Sequence, residues 1–152
     1  MIICSIDPGS KGSICLLEEG KAPSFFDINK NPIAAAKLAK TYNPDIWVME
    51  KVHANSTDAK QAIWSFARNV GQLEGKIDAP IFYVTPRTWQ SWAGIYGAGK
   101  GKGTKKKAYE ICTTMYGKVF FTGPRGGILD GRCDALLIGH WYVENVLKKN
   151  FK

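Results

Sequence analysis

Asp7, Glu50, Asp130 and Asp134 are the acids whose positions in this chain suit chemistry. Asp7 closes the apolar run Met1–Ile6, and Glu50 closes the run Ile46–Met49. A continuous apolar run stopped by turn residues reads as a buried strand. Each carboxylate then marks where a sheet core opens to solvent. Asp130 and Asp134 stand four apart in a helical segment, so they share a helix face. Ala135, Leu136, Ile138 and Trp141 carry that helix inward. Taken singly, each acid has a plain structural explanation as a turn, a strand end or a helix N-terminal acid. Together, acids at the edge of an apolar face are costly unless they are paired or bind a metal. With no thiolate or imidazole among them they form a hard oxygen donor set, which suits Mg²⁺ or Mn²⁺ over Zn²⁺. Two such ions about 3.5–4 Å apart can activate a water and stabilise the leaving oxygen in phosphodiester cleavage.

The charge distribution names a class of substrate. The net charge is +8, and the stretch from Arg87 to Arg125 holds eight basic residues against the single acid Glu110. The remainder of the chain is nearly neutral. Such asymmetry points to a polyanion. Trp89, Trp92, Tyr96 and several glycines interleave with the charge, which favours nucleic acid over a solubilising charge run. Arg87, Lys100, Lys102, Lys106 and Lys107 are candidate DNA contacts. Trp89 and Trp92 read as core residues rather than base-stacking ones, and His140 has no catalytic assignment.

The elements that must position these groups follow in order. The 152 residues suffice for one domain with a real core, taken as residues 1–152. Strands are expected at Ile2–Ile6, Gly12–Glu18, Ala22–Ile28, Asp45–Glu50 and Pro80–Thr85, the first three forming a meander. Pro32 opens a helix that Asn43-Pro44 stops. A long helix is expected from Asp58 to about Lys76, capped by Ser56 or Thr57, with Ala59, Ile63, Phe66, Ala67, Val70 and Leu73 as an apolar stripe. Trp64 lies off that stripe, so the helix is apolar on more than one face. A short helix is expected at Pro86–Trp92, one capped by Thr104 from Lys105 to Tyr116, and a last one from about Asp130 to Lys148. Lys118 to Ile128 reads as irregular. The order is mixed α/β. Cys4, Cys15 and Cys112 sit among apolar neighbours and read as buried thiols, and Cys133 completes no metal spacing. No apolar run approaches the roughly 20 residues of a membrane span. The N-terminal run passes straight into Asp7 with no basic region before it, so it reads as a strand. A cytoplasmic protein without a membrane partner is expected, in the host cytoplasm if it is viral.

The chain resembles the RuvC-type Holliday-junction resolvases of the RNase H-like superfamily. The carrying residues are Ser5-Ile6-Asp7-Pro8-Gly9, Val48-Met49-Glu50, Val70-Gly71-Gln72-Leu73-Glu74-Gly75, Val84-Thr85-Pro86-Arg87 and Asp134-Ala135-Leu136-Leu137-Ile138-Gly139. They occur in family order over nearly the whole chain. The wording Asp-Gly-Arg-Cys-Asp-Ala-Leu-Leu-Ile is similar to the phage or viral branch. The resemblance implies a five-stranded mixed sheet in the order 3-2-1-4-5, flanked by helices, with strands one and four adjacent. It implies a homodimer through the helix around 58–76 and metal-dependent, symmetric paired nicking of four-way DNA junctions. Asp7, Glu50, Asp130 and Asp134 would be the metal ligands, with two Mg²⁺ per site that Mn²⁺ can replace. Lys105, Lys106 and Lys107 fall where the family keeps basic residues near the scissile phosphate; the resemblance implies that one of them, taken as the catalytic Lys105, stabilises developing charge while the others contact the backbone. The bacterial pattern spaces its last two acids three apart, whereas here they are four apart. His53 stands where bacterial members often carry an aromatic that wedges into the junction centre. The loop Gly94–Gly103 is longer and richer in Gly and Lys.

Two other classes compete. A binding module could hold branched DNA for a separate nuclease, possession of the acids then being incidental. A phosphotransferase of the actin-like superfamily would use Asp7-x-Gly9-x-x-Gly12 at phosphate, but that group needs two such domains.

Overall fold

The computed structural model describes residues 1–51, 59–98 and 102–148. Five strands, β1 (Ile2–Asp7), β2 (Ser13–Glu18), β3 (Ser24–Asp27), β4 (Ile46–Glu50) and β5 (Ile81–Val84), form one sheet. Its order is β3-β2-β1-β4-β5. The first three strands pair antiparallel, whereas β1–β4 and β4–β5 are parallel. This is the expected mixed sheet in the expected order. β1 runs one residue past its expected end, to Asp7, whereas the other strands are shorter than the sequence runs: β2 starts after Gly12, and β3 loses Ala22, Pro23 and Ile28.

Side-chain alternation divides the core in two. Cys4, Ile6, Ile14, Leu16, Trp47 and Met49 face one side with Ala35, Ala36, Ala39 and Leu73. Ile3, Cys15, Leu17, Val48 and Val84 face the other with Trp89, Cys112, Phe121 and the apolar face of the last helix. Helices α1 (Pro32–Lys40) and α2 (Lys60–Glu74) contribute to the first side. Helices α3 (Pro86–Trp92), α4 (Lys102–Tyr116) and α5 (Asp130–Tyr142) contribute to the second. All four cysteines are buried free thiols.

Four expectations need correction. Thr104 does not cap α4, because the helix already includes Lys102 and Gly103. The segment Lys118–Phe120 forms a 3₁₀ turn, and Thr122 bridges Ile128. The last helix changes to a π-helical turn over Val143–Leu147. Of the expected α2 stripe only Leu73 is buried; Ala59 and Ala67 are exposed, and Ile63, Phe66 and Val70 are half-buried. Ser56 and Thr57 lie outside the described residues.

The first turn of α5 is fixed to the sheet by close backbone packing. Gly12 and Gly131 form an isolated parallel bridge. A Cβ on Gly131 would stand 2.2 Å from the Lys11 carbonyl oxygen, and one on Gly12 would stand 2.0 Å from that of Asp7. The glycine of the Asp7-x-Gly9-x-x-Gly12 turn is therefore required by the chain's own packing. Beside it, the Arg132 guanidinium donates to Asp27 on β3 through Nε at 2.8 Å and Nη2 at 2.7 Å. Its Nη1 donates to the Phe120 carbonyl at 3.0 Å. On the adjoining turn the buried Ser5 Oγ donates to the Ala135 carbonyl at 2.6 Å.

Gly131→Ala is expected to destabilise the protein by about 2 kcal/mol or more, since overpacked backbone cannot swing aside as a side chain can. Thermal unfolding should show a fall in Tm of roughly 4–8 °C. An unchanged Tm would mean that the helix does not sit this close to the turn.

Candidate active site

The parallel β1–β4 register sets the first half of the site. Ser5 pairs with Val48 and Ile6 with Met49, so Asp7 and Glu50 end adjacent strands one step further on. Two-residue alternation puts Asp7 on the side of Ile3 and Ser5, and Glu50 on the side of Val48. Both therefore face α5. That helix brings Asp130 and Asp134, one turn apart, over the same strand ends.

Each of three acids has a resident hydrogen-bond donor. The Gly9 N–H donates to Asp7 Oδ1 at 3.1 Å. The Trp89 indole N–H donates to Glu50 Oε1 at 2.8 Å. The Lys105 ammonium, reaching across from α4, pairs with Asp130 Oδ2. The structure thus brings Asp7, Glu50, Asp130, Asp134 and Lys105 into one neighbourhood. Lys102, Lys106 and Lys107 are exposed on α4, and Lys106 also lies 3.9 Å from Glu110. Arg87 is exposed at the start of α3. His53 and Lys100 lie outside the described residues.

Electrostatics show that the acids sense one another. Burial raises the Asp7 carboxyl to about 6, opposed by the Gly9 N–H, reinforced by Asp130 and opposed again by Lys105. Burial and then the Asp7 charge lift Glu50 to about 7 against the hydrogen bond from Trp89. Asp134 is held well above the ordinary carboxylate range, by burial first and then by Asp7, Glu50 and Asp130, with Lys105 opposing. Its bond to Asp130 leads the causes that raise Lys105. One ammonium thus stands among four carboxylates, and carboxylates crowded out of water ionise only against a cost.

The donor set has the chemistry of an oxygen-preferring dication site. Among the described residues, however, no three His, Cys, Asp or Glu side chains converge on a point that could hold a metal as they stand. The acids lean on Gly9, Trp89 and Lys105 instead. The residues fit a dication in type and charge, and their side chains would have to turn from these partners to share one.

Sequence reasoning placed Trp89 and Trp92 in the core; Trp89 is fully buried, whereas Trp92, the last residue of the short helix, is exposed. The hydrogen bond from Trp89 to Glu50, which orients that carboxylate, was missed. So were Asp27 and Arg132, which hold the α5 turn; Arg132 stood inside the quoted Asp-Gly-Arg-Cys-Asp run, and a buried-side arginine needs an acid partner. His140 takes no part in the acid cluster, its Nε2 lying 3.1 Å from the Tyr116 hydroxyl.

No family model and no curated protein matches the sequence. Solved structures match along nearly all of it. Thermus thermophilus RuvC in complex with a Holliday junction substrate is similar at a TM-score of 0.58 and 11% identity, covering 95% of this chain and 96% of that one. Another Thermus thermophilus RuvC structure gives 0.58 at 14% identity, with the same coverage of 95% and 96%. The fowlpox virus Holliday junction resolvase gives 0.57 at 16% identity, covering 96% of this chain and 100% of that one. The chain has the RuvC fold. The five-stranded mixed sheet flanked by helices is the RNase H-like arrangement. Among the described residues, no helix of this RuvC-fold chain is long and apolar enough to cross a membrane.

The crowding of charge makes a prediction for the metal-free protein. A carboxyl whose pKa rises on folding favours the folded state while protonated. That contribution is complete below the unfolded value of about 4 and is lost as pH rises through about 6 for Asp7 and about 7 for Glu50. Asp134→Asn removes one of the repelling charges. In chelator at pH 8 it should raise Tm by roughly 2–8 °C, corresponding to about 1–2 kcal/mol. At pH 5 the gain should shrink, because Asp7 and Glu50 are then largely protonated. A fall in Tm at pH 8 would overturn the repulsive account.

Proposed function

We propose that this protein is a divalent-metal-dependent, structure-selective DNA endonuclease that resolves four-way junctions by symmetric paired nicks. The observation that carries the reading is the assembly of Asp7, Glu50, Asp130 and Asp134 at one end of a RuvC-fold sheet, with Lys105 across them. The likeness to resolvases, one of them described with a Holliday junction substrate, supports the choice of branched DNA.

Asp7, Glu50, Asp130 and Asp134 would hold Mg²⁺, two ions in the full site, with Mn²⁺ able to substitute. Bound there, the metal would supply an activated water and charge stabilisation at the scissile phosphate. The chain's own groups do the rest. Trp89 keeps Glu50 turned toward the α5 acids. Lys105 offsets carboxylate repulsion at Asp130 and stands ready to meet negative charge on a phosphate. Lys102, Lys106 and Lys107, exposed along α4, and Arg87 on α3 would hold the DNA backbone by charge. His53 and Lys100 belong to the same proposed DNA contact set.

Cutting two opposed strands of a junction calls for two sites related by a two-fold axis. A homodimer through α2 would supply them. Trp64 on that helix is 69% exposed, and Ile63, Phe66 and Val70 are only half-covered. Apolar side chains left open on one helix suit a partner of the same kind. The Asp-Gly-Arg-Cys-Asp wording keeps the phage or viral branch as the preferred relation.

Asp7→Asn and Glu50→Gln should each reduce nicking of an immobile four-way junction by on the order of a hundredfold or more, while junction affinity stays equal or rises. A labelled junction beside a linear duplex of the same sequence, with and without Mg²⁺, measures this. Either variant cleaving at the wild-type rate would overturn the metal-site reading. Junction binding by the wild-type chain without nicks in Mg²⁺ or Mn²⁺ would identify a binding module instead.

A further inference from the structure

The exposed face of α3 and the turn after it carry a second feature beside the acids. Tyr96 is 54% exposed, although aromatic surface is costly in water. The Arg87 guanidinium lies over its ring, 5.6 Å from the centroid. Among the described residues Arg87 has no carboxylate partner. Its positive charge is therefore not consumed within the chain, and it polarises an open aromatic ring from one side.

The backbone that carries the ring is anchored. Ile95, its neighbour, is fully buried. The N–H groups of Ile95 and Tyr96 both donate to the Gln90 carbonyl, at 2.9 and 3.2 Å. Gly94 and Gly97 bracket the residue at φ +69° and +75°, a conformation that suits glycine. The turn thus hangs Tyr96 outward from a fixed base. The same short helix carries Trp89 inward to Glu50. Arg87, two residues earlier, points the other way. One rigid element therefore links the platform to the acid cluster.

We propose that Tyr96, backed by Arg87, is a stacking platform for an unstacked base of the branched DNA substrate. This deepens the nuclease reading and rests on it for the identity of the substrate. A flat ring presented to solvent binds base faces, and every base has one. In a linear duplex those faces are covered by neighbouring pairs. At a branch point stacking is interrupted, and a base can turn out onto the ring. Arg87 would meet the adjoining phosphate with the N–H groups not spent on the tyrosine face. The platform thus favours branched over linear DNA without reading sequence.

The test uses the full chain in chelator, so that no cleavage occurs, and an immobile four-way junction carrying a fluorescent purine analogue beside the crossover. Wild-type protein should change the probe's fluorescence on the junction and not on the linear duplex. Tyr96→Ala should lose that signal and bind the junction roughly tenfold more weakly, with duplex affinity unchanged. Tyr96→Phe should restore both. Tyr96→Leu, which keeps bulk without a π face, should behave as the alanine variant and guards against a loss of fold in the latter. Equal junction affinity for wild type and Tyr96→Leu would overturn the platform, as would equal losses on junction and duplex. A parallel nicking assay of the wild type in Mg²⁺ separates the two readings. Nicking with a silent Tyr96 sinks the platform alone, and a Tyr96-dependent signal without nicking sinks the nuclease alone.

Discussion

The contact between two backbones at Gly12 and Gly131 is the constraint on which the acid cluster depends. It brings the N-terminal turn of α5 against the β1–β2 turn at a distance no side chain would permit. Arg132 then fixes rotation by gripping Asp27 with two nitrogens and the Phe120 carbonyl with a third. Ser5 ties the next turn down. With the helix held at these points, Asp130 and Asp134 have little freedom except to overhang Asp7 and Glu50. Two glycines and an arginine thus decide where the two α5 carboxylates stand over those that end β1 and β4.

That placement sets a conflict inside the fold. Burial and mutual repulsion both oppose ionisation of Asp7, Glu50 and Asp134. The chain answers with a backbone N–H, an indole N–H and one ammonium. These donors suffice to keep the carboxylates oriented but leave the local charge negative. Positive charge placed among these acids would relieve repulsion as well as form new bonds.

Much of this was legible in the residues. Asp7 and Glu50 announced themselves by ending apolar runs, and the spacing of Asp130 and Asp134 announced a shared helix face. What escaped were features fixed by contacts distant in sequence. Asp27 and Arg132 are separated by over a hundred positions, and no local pattern joins them. Trp89 was recognisable as core, yet its N–H toward Glu50 depends on how α3 docks. The start of α4 was misplaced because Gly103 looked like loop. The Ala98 carbonyl passes where a Cβ on Gly103 would lie, at 2.4 Å, so the glycine serves packing inside a helix. The α2 stripe suggested inward burial, but periodicity reports only that a face is apolar and not what covers it.

The mixed sheet also orders events in time. The β1–β2–β3 meander closes through short loops, whereas β1–β4 pairing and the docking of α5 join distant parts of the chain. Loop-closure entropy favours the local pairs first. On that order the four carboxylates would meet only once α5 docks on the sheet. Their repulsion falls on the native state more than on the barrier, so it should quicken unfolding while leaving the folding rate almost untouched. A bound dication would then act chiefly as a brake on opening, and the protein's lifetime would become a function of its ionic surroundings.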